Sequence, residues 1–481
     1  MTDRFDLVTI GGGTAGLVAS LGVAGIGGKA ALIEAALVGG DCLWTGCVPS
    51  KALLAAGSVA QTMRTADRHG IAAVEPQVDL ARVMASVRRA QEIIEPQDSP
   101  ERLRSHGVEV IEGRGRFVGP GRIEVDGRVV SYRAALIATG ARPVVPPIDG
   151  LADADPLTSD TVWDLEVLPP RLAVLGGGPI GCELGQAFAR LGSSVTIVEA
   201  QPTLVPIEHT DVGTFLAERL SAEGIDVRTG VRAQSVTGEG AGWLLHLDDG
   251  TDVGFDRILV AVGRRPNTTD LGLESVGVET DDRGYVVIDD RLVTTGDRIY
   301  AAGDVTGKMP FTHVAANHAR LVVTNAMLRT RRSVDYDRIP WVTFTDPEIA
   351  RVGLDAAAAQ ARWGDNAVVQ RYDYTHLDRA VTEATNRGWA ELVGDPKRRL
   401  VGATVVGEAA GESIAELTAW IAAGAKIDAV STTVHAYPTF SEGPSRAADD
   451  VLRARYFDPR LTRLTSKLLG ALRGIDKPRT T

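Results

Sequence analysis

The stretch Gly39–Lys51 has the sequence GGDCLWTGCVPSK and contains two of the three cysteines in the 481-residue chain. Cys42 and Cys47 are five positions apart, and a disulfide needs its two Cα atoms roughly 4.4–6.8 Å from each other. A short bend through Gly46 can bring the two thiols within this range. A helix is predicted to begin at Val48, because proline suits a first helical turn and the following alanines and leucines propagate it. Cys47 would then lie at the positive end of that helix, where a thiolate is stabilised.

This pair of cysteines predicts a reversible disulfide with at least one reactive thiol. Two alternatives are half of a zinc site and a pair of unrelated buried cysteines. Zinc takes about four ligands, and the sequence has no second cluster of cysteine and histidine at ligand spacing. No metal site is therefore predicted. The third cysteine, Cys182, follows a glycine at a helix start, and we expect it to pack in the core.

A G-x-G-x-x-G fingerprint precedes the cysteine pair. Gly11, Gly13 and Gly16 follow the apolar segment 5–10, which is predicted to be a buried parallel strand. The three glycines allow, in turn, a tight turn, the close approach of a pyrophosphate and the packing of the helix on the strand. Glu34 ends the next predicted strand, where a carboxylate can accept a hydrogen bond from a ribose hydroxyl. The segment is therefore predicted to bind a dinucleotide.

A second fingerprint follows in the middle of the chain. Gly176, Gly178 and Gly181 again lie between a predicted strand and a predicted helix, and Glu199 ends the next strand. A carboxylate at this position favours the free ribose hydroxyls of NAD and would repel a 2′-phosphate. Residues 201–204 supply no Arg or Lys for such a phosphate. NADH is therefore predicted over NADPH.

Three more buried strands end in glycine-containing turns. Thr139 and Gly140 follow the first, Gly263 follows the second, and Gly303 and Asp304 follow the third. Asp304 is either a simple turn former or a carboxylate at the edge of a sheet where ligands bind. After about residue 335, alternating apolar runs and helical patterns indicate a third, α+β domain without a fingerprint.

The composition is that of an ordinary globular protein, with 44% hydrophobic and 23% charged residues. The net charge of −11 argues against a nucleic acid or an anionic membrane as partner. The N-terminal residues lack the pattern of a secretory signal, and no apolar run free of charge reaches about 18 residues. We therefore expect a cytoplasmic protein without membrane association.

The C-terminal segment 458–472 has the pattern of a basic amphipathic helix. Its leucines are Leu461, Leu464, Leu468, Leu469 and Leu472, and its cations are Arg460, Arg463 and Lys467, with Arg473 directly after the segment. Such a helix lies on a membrane surface or packs on a partner subunit. The acidic, polar composition of the whole chain favours the partner subunit.

The cysteine motif between the two fingerprints, followed by Gly303 and Asp304, resembles the FAD-dependent pyridine nucleotide-disulfide oxidoreductases. This family includes dihydrolipoyl dehydrogenase, glutathione reductase and mercuric reductase, and the resemblance runs from about residue 4 to about residue 450. It implies an α/β fold with two Rossmann-like domains and a C-terminal α+β dimerisation domain. The implied FAD domain comprises residues 1–150 and 265–335, the NAD(P)H domain residues 151–264, and the dimerisation domain with its helical tail residues 336–481.

The resemblance also implies cofactor contacts and a homodimer whose active sites are shared between subunits. The residues implied at FAD are Gly11, Gly13, Gly16, Glu34, Lys51, Gly115, Thr139, Gly140, Gly303, Asp304 and Thr312. Those implied at NAD(P)H are Gly176, Gly178, Gly181, Glu199 and Gly263.

The mechanism implied by the resemblance passes a hydride from NADH to the flavin and then electrons to the disulfide. Cys47 would be the flavin-side thiol and Cys42 the outward thiol that attacks a small-molecule acceptor. Lys51 matches the family lysine beside the flavin, and Glu183 matches its carboxylate partner, although a plain surface ion pair is the alternative.

The C-terminal motif departs from the family pattern of His-Pro-Thr followed by Ser-Glu. Tyr437 precedes the proline here, while Glu442 keeps the acidic position and His435 matches an earlier histidine of dihydrolipoyl dehydrogenases. A tyrosine, with a pKa near 10, is a poor base at neutral pH. Soft metal ions or quinones are therefore predicted as acceptors ahead of ordinary disulfides, as in mercuric reductases, which also carry a tyrosine near this position.

A second departure concerns mercuric reductase itself. Its terminal pair of vicinal cysteines is missing, since no cysteine follows Cys182. The sequence thus predicts a mercuric-reductase-like enzyme without the metal-relay parts. A dihydrolipoyl dehydrogenase and a redox-sensing flavoprotein are the alternatives.

Overall fold

The computed structural model describes residues 4–240 and 242–475. The chain forms two compact units, Met1–Asp335 and Tyr336–Thr481. The strands of the first unit are β1 Arg4–Ile10, β2 Ala30–Glu34, β3 Val108–Glu112, β4 Gly115–Gly119, β5 Arg122–Val125, β6 Arg128–Ile137, β7 Ala141–Pro143, β8 Arg171–Leu175, β9 Ser194–Glu199, β10 Asp226–Thr229, β11 Ala233–Glu239, β12 Gly242–Leu247, β13 Asp252–Phe255, β14 Arg257–Val260, β15 Arg264–Pro266 and β16 Ile299–Ala301. Its α-helices are α1 Thr14–Gly25, α2 Gly40–Trp44, α3 Cys47–Arg64, α4 Leu80–Ile94, α5 Pro100–Ser105, α6 Pro179–Leu191, α7 Thr210–Ala222 and α8 Thr312–Leu328.

The main sheet of the first unit has seven strands. Parallel strands lie in the order β3-β2-β1-β6, and β16 also pairs in parallel with β6. The hairpin of β4 and β5 extends the sheet in antiparallel fashion. The central strands are apolar because both of their faces are covered. The chain passes from β1 through α1 to β2, so the first fingerprint forms the turn at the carboxyl edge of this sheet.

A second parallel sheet, in the order β10-β9-β8-β14, repeats this arrangement. Helix α6 connects β8 to β9, so the second fingerprint also forms a turn from strand to helix. A separate antiparallel sheet contains β11, β12 and β13. The short strands β7 and β15 pair with each other and tie together two segments that are far apart in sequence.

The second unit is built on one antiparallel sheet in the order β17-β18-β21-β20-β19. Its strands are β17 Pro340–Thr343, β18 Glu348–Gly353, β19 Val368–Asp373, β20 Trp389–Gly394 and β21 Leu400–Gly407, and its α-helices are α9 Ala356–Trp363, α10 Asp378–Thr382, α11 Ala410–Ala422, α12 Ile427–Thr432, α13 Glu442–Tyr456 and α14 Pro459–Ile475. Helices α11 and α13 pack against the sheet and enclose an apolar core.

The predicted α/β fold, with two Rossmann-like units and a C-terminal α+β region, is confirmed. The helix expected at Val48 begins one residue earlier, at Cys47. The division of the first unit into a flavin domain and a nicotinamide domain stays a prediction. Within the described residues, no helix has both the length and the apolar character needed to cross a membrane.

Candidate active site

The two cysteines of the redox motif lie on consecutive short elements. Cys42 belongs to α2, and Cys47 is the first residue of α3. Both thiols are free in the structure and are hydrogen-bonded to each other. The Cys47 Sγ atom also lies 3.2 Å from Oγ1 of Thr312, which begins α8. The bend through Gly46 is tight, since a Cβ atom there would lie 2.9 Å from the Asp41 carbonyl oxygen.

The two thiols differ strongly in acidity. The pKa of Cys47 is lowered to about 6, mainly by the hydrogen bond from Cys42. The Thr312 hydroxyl and the positive charge of Lys51 also lower it. The same hydrogen bond, together with burial, raises the pKa of Cys42 well above its ordinary value. At neutral pH the reduced pair therefore carries a thiolate at Cys47 and keeps its proton at Cys42.

Lys51 forms an ion pair close to the thiols. It lies one turn after Cys47 in α3, and its Nζ atom is 2.8 Å from Oε2 of Glu183 in α6. The Glu183 side chain is only 8% exposed, whereas that of Lys51 is 37% exposed. The carboxylate is thus enclosed by protein and holds one accessible ammonium group beside the redox pair.

Arg264 contacts the redox motif and was not singled out from the sequence. Its guanidinium donates to Oδ2 of Asp41 at 2.7 Å, to the Ala141 carbonyl oxygen at 2.6 Å and to Oγ of Ser159 at 3.4 Å. Its side chain is 17% exposed. Because Asp41 directly precedes Cys42, this arginine offsets the negative charge that raises the pKa of both thiols.

The redox motif rests directly on the first fingerprint. The Gly39 amide donates to the Gly12 carbonyl oxygen at 2.9 Å. Gly40 has a φ of 60°, and a Cβ atom there would lie 2.6 Å from the Cα atom of Gly13. The two backbones therefore touch without an intervening side chain, which only glycine permits.

The first fingerprint forms the tight turn that its glycines predict. Gly11 has a φ of 108°, and a Cβ atom there would lie 2.2 Å from the Ala138 carbonyl oxygen. A Cβ atom on Gly16 would lie 1.9 Å from the carbonyl oxygen of Gly11. Glu34 accepts hydrogen bonds from the backbone amides of Gly12 at 2.5 Å and Ala36 at 2.7 Å.

The second fingerprint repeats these contacts. Gly176 has a φ of 111°, and a Cβ atom on Gly181 would lie 1.9 Å from its carbonyl oxygen. Glu199 is buried and accepts hydrogen bonds from the amides of Gly177 and Gln201, each at 2.6 Å. At both fingerprints, the carboxylate that ends the following strand also fixes the glycine-rich turn.

Both turns fit the phosphates of a bound dinucleotide. The N-termini of α1 and α6 have no side-chain cap and no acidic residue in the first turn. A Cβ atom on Gly178 would meet no heavy atom within 4 Å, and one on Gly13 would meet only the Gly40 Cα atom, at 3.9 Å. Uncapped amides beside open glycine backbone form an anion site.

Asp304 follows β16 near the same edge of the main sheet, and burial raises its pKa. The amide of the preceding Gly303 donates to Nδ1 of His318 at 3.3 Å. His318 is fully buried in α8, and burial lowers its pKa to about 4, so the ring is neutral. His318 was not predicted as a site residue, because a histidine inside an amphipathic helix gives no sign of what it contacts.

The other predicted cofactor residues lie at strand ends. The Thr139 hydroxyl donates to the Asn267 carbonyl oxygen at 2.7 Å. The backbone amide of Asn267 donates to the carbonyl oxygen of Gly140 at 3.0 Å. Gly263 has a φ of 141° just before β15. Gly115 begins β4 and is buried.

Among the described residues of the second unit, no hydrogen bond joins the predicted acid–base residues, His435, Tyr437 and Glu442, to one another. His435 Nε2 lies 2.9 Å from a carboxylate oxygen of Glu416, and the Tyr437 hydroxyl donates to Asp378 at 2.9 Å. This hydrogen bond is the main cause that raises the pKa of Tyr437. Glu442 instead accepts from the side chain of Arg446 at 3.2 Å. Within one chain, Glu442 is thus not hydrogen-bonded to the tyrosine or the histidine, but its negative charge helps to raise the pKa of Tyr437.

Two family models match the chain. The pyridine nucleotide-disulphide oxidoreductase model matches residues 5–319, and the dimerisation domain of the same family matches residues 339–448. The chain therefore belongs to the pyridine nucleotide-disulphide oxidoreductase family. The resemblance inferred from the motifs is confirmed.

Similar proteins include two named enzymes. A mercuric reductase from Streptomyces lividans is 37% identical over 454 residues, which cover 92% of this chain and 95% of that protein. A dihydrolipoyl dehydrogenase from Thermus scotoductus is 36% identical over 463 residues, which cover 92% and 97%. The solved structure of LpdA from Mycobacterium tuberculosis is similar with a TM-score of 0.85 at 30% identity, over 93% of this chain and 99% of LpdA. The Cu(II) complex of the HOCl-induced flavoprotein disulfide reductase RclA from Escherichia coli has a TM-score of 0.83 at 27% identity, over 93% of this chain and 100% of RclA.

Family membership establishes the general activity. The chain is an oxidoreductase of a family that depends on FAD and NAD(P)H and has a disulfide redox centre. The dimerisation domain supports a homodimer.

Proposed function

We propose that the enzyme uses NADH to reduce a small acceptor through Cys42 and Cys47, and that the acceptor is a soft metal ion. The observation that carries this proposal is the placement of the two thiols at the junction of α2 and α3, with Cys47 beside Thr312 and Lys51. This setting favours the thiolate at Cys47 and leaves the proton on Cys42. Attack on a disulfide needs Cys42 as a thiolate, and therefore a base to remove its proton. A thiophilic cation instead displaces that proton as it binds.

In the proposed reduction of the metal ion, the two sulfur atoms supply the electrons. Both cysteines bind the cation as thiolates, and Cys42 releases one proton to solvent. Formation of the sulfur–sulfur bond then delivers two electrons, either to one mercuric ion, which becomes Hg(0), or one each to two cupric ions, which become Cu(I). When bound, FAD carries the reducing equivalents of NADH to the disulfide and so regenerates the dithiol.

The C-terminal motif supports a metal acceptor over a disulfide. Tyr437 takes the place of the family histidine, and its hydroxyl is held by Asp378. The hydrogen bond to this carboxylate raises the pKa of Tyr437, so even less of the phenolate that could accept a proton is present at neutral pH. The Streptomyces relative is named a mercuric reductase, and the RclA structure is a Cu(II) complex.

We propose roles for the other site residues on the same basis. The first fingerprint with Glu34, Gly115, Thr139, Gly140, Gly303, Asp304 and Thr312 binds FAD, and the second with Glu199 and Gly263 binds NADH. The ion pair of Lys51 and Glu183 stabilises negative charge on the cofactor and on Cys47. Glu199 disfavours a 2′-phosphate by charge repulsion.

Dihydrolipoyl dehydrogenase is a second candidate function. The Thermus relative with that name is as similar over its full length as the mercuric reductase is. His435 is also held by a carboxylate, that of Glu416, as a catalytic imidazole often is. A third possibility is that electrons pass to a quinone without using the thiols, and the test below would also detect this.

Steady-state NADH oxidation by the FAD-loaded dimer separates these candidates. We expect turnover with mercuric or cupric ions, slow turnover with lipoamide and glutathione disulfide, and a loss on the order of a hundredfold or more in Cys42→Ser with the metals. Cys182→Ser is the matched control, because that buried thiol donates only to the Gly177 carbonyl oxygen and should not affect turnover. Metal turnover that survives in Cys42→Ser would contradict the proposal, and fast lipoamide turnover that increases further in Tyr437→His would favour the second candidate.

A further inference from the structure

Helix α14 extends past the folded core of the second unit as an autonomous helix. Asp458 caps its first turn, since its carboxylate accepts from the amide of Arg460 at 2.8 Å and its carbonyl oxygen accepts from the amide of Thr462 at 2.9 Å. Every residue from Arg453 to Arg473 is exposed. The chain therefore forms this helix without covering it.

The exposed helix has one apolar face. Its five leucines recur with the spacing of a single helical stripe, and each is between 41% and 67% exposed; they are Leu461, Leu464, Leu468, Leu469 and Leu472. Tyr456 and Phe457, directly before the helix, are 58% and 73% exposed. An apolar stripe of this length left in water indicates that something else covers it.

The charged residues of α14 are all cationic and lie on its other face. Arg460, Arg463, Lys467 and Arg473 lie outside the leucine stripe, and residues 459–475 include no Asp or Glu. The remainder of the chain is strongly acidic, since the net charge of the whole is −11. The negative net charge of the whole chain argued against binding to an anionic surface, but this segment is positively charged. Binding of the segment to such a surface depends on its local charge, because salt screens the more distant charges.

Helix α14 lies outside the part of the chain that matches the dimerisation domain. The match to the dimerisation domain ends at residue 448, and α14 begins at Pro459. A helix with leucines on one face, cations on the other and aromatic residues at its start has the features of segments that lie in a bilayer interface. Anionic headgroups complement its charge.

We propose that α14 lies on the surface of membranes that contain anionic phospholipids. The leucine stripe enters the boundary between headgroups and acyl chains, and the four cations contact lipid phosphates. This inference does not depend on which acceptor the enzyme reduces.

The test is co-sedimentation of the FAD-loaded, full-length dimer with vesicles. We expect binding to vesicles of phosphatidylcholine mixed with phosphatidylglycerol, little binding to phosphatidylcholine alone, and release at high salt. The double variant Leu464→Gln/Leu468→Gln should bind on the order of tenfold or more weakly, because glutamine keeps the helix but removes apolar area. The double variant Arg463→Gln/Lys467→Gln should lose affinity by about twentyfold.

Ser466→Gln is the matched control, since it places the same side chain on the polar face. It should bind vesicles as the unchanged protein does, and all variants should retain FAD and NADH oxidation in solution. Equal binding to both vesicle types would overturn the proposal, as would the absence of binding. If the leucine variant instead changes the oligomeric state in gel filtration, the stripe contacts a second copy of the chain and the membrane proposal fails.

Discussion

Arg264 donates to the carboxylate of Asp41 across 2.7 Å, one residue before the first redox cysteine. This contact joins residues 223 positions apart and offsets the negative charge of Asp41, which raises the pKa of both thiols. The guanidinium also acts on Asp304, where it opposes the rise in pKa that burial causes. One largely buried cation therefore balances the carboxylates that surround the redox centre.

The first prediction concerns this cation. Arg264→Gln leaves Asp41 uncompensated, so the pKa of the nearby thiols should rise, and the acidic limb of the pH profile of kcat/KM should move upward by about one unit. Arg264→Lys keeps the charge and should shift the profile less. An unchanged acidic limb in Arg264→Gln would show that Asp41 does not influence the thiols.

The second prediction concerns the hydrogen bond within the thiol pair. This bond is the main cause of the low pKa of Cys47, about 6. Cys42→Ala removes the donor, so we expect that pKa to rise by at least about one unit and the thiolate fraction at neutral pH to fall. A pH titration of the ultraviolet thiolate absorbance measures this change in the reduced protein. Cys42→Ser keeps a hydroxyl donor, so the pKa of Cys47 in this variant should lie between its values in the unchanged protein and in Cys42→Ala. Coincident titration curves for Cys42→Ala and the unchanged protein would show that this hydrogen bond does not lower the pKa of Cys47.

The third prediction concerns the pH dependence of stability. His318 is neutral in the folded protein because burial lowers its pKa from 6.5 to about 4. The unfolded chain takes up a proton below pH 6.5, so the free energy of unfolding should be intact above that pH. It should decrease between pH 6.5 and 4, by about 3 kcal/mol in total from this residue.

Urea denaturation across this pH range measures the decrease. His318→Gln retains an acceptor for the Gly303 amide but cannot titrate, so its free energy of unfolding should fall less steeply with acid. Equal slopes for both proteins would show that another group is responsible.

The fourth prediction concerns coenzyme choice. Glu199→Gln removes the charge that repels a 2′-phosphate while keeping one acceptor for the turn, so the ratio of kcat/KM for NADPH to that for NADH should increase about tenfold. Glu34→Gln is the matched control, because Glu34 makes the equivalent contacts in the first fingerprint. It should weaken FAD retention and leave the coenzyme ratio unchanged. If the Glu199 variant keeps the original ratio, another residue sets the preference.

The sequence predicted those features that depend on local pattern. The glycines of both fingerprints, the start of α3 near Cys47 and the amphipathic helix α14 follow from spacing and residue type alone. The carboxylates of Glu34 and Glu199 were expected at ribose hydroxyls. The structure adds that each carboxylate accepts hydrogen bonds from two backbone amides close to it in sequence or in the adjoining glycine-rich turn.

Contacts between distant segments could not be predicted in this way. The pairing of Arg264 with Asp41 requires β15 to lie beside the redox motif, which no periodicity encodes. The role of His318 depends on which amide faces its ring, and a buried histidine in a helix is usually only part of the core. The hydrogen bonds of His435 and Tyr437 likewise go to other elements, since Glu416 and Asp378 are remote in sequence from that motif.

The backbone contact between Gly13 and Gly40 has a consequence for electron transfer. No side chain separates the phosphate-binding turn from the loop that carries the sulfur atoms. The spacing between the two is therefore set by van der Waals contact of main-chain atoms, and rotamer fluctuations cannot lengthen it. An alanine at Gly40 acts as a wedge, because its Cβ atom would lie 2.6 Å from the Cα atom of Gly13. By displacing the segment that carries both redox thiols, it would slow electron transfer through them while leaving every reactive group in the chain intact.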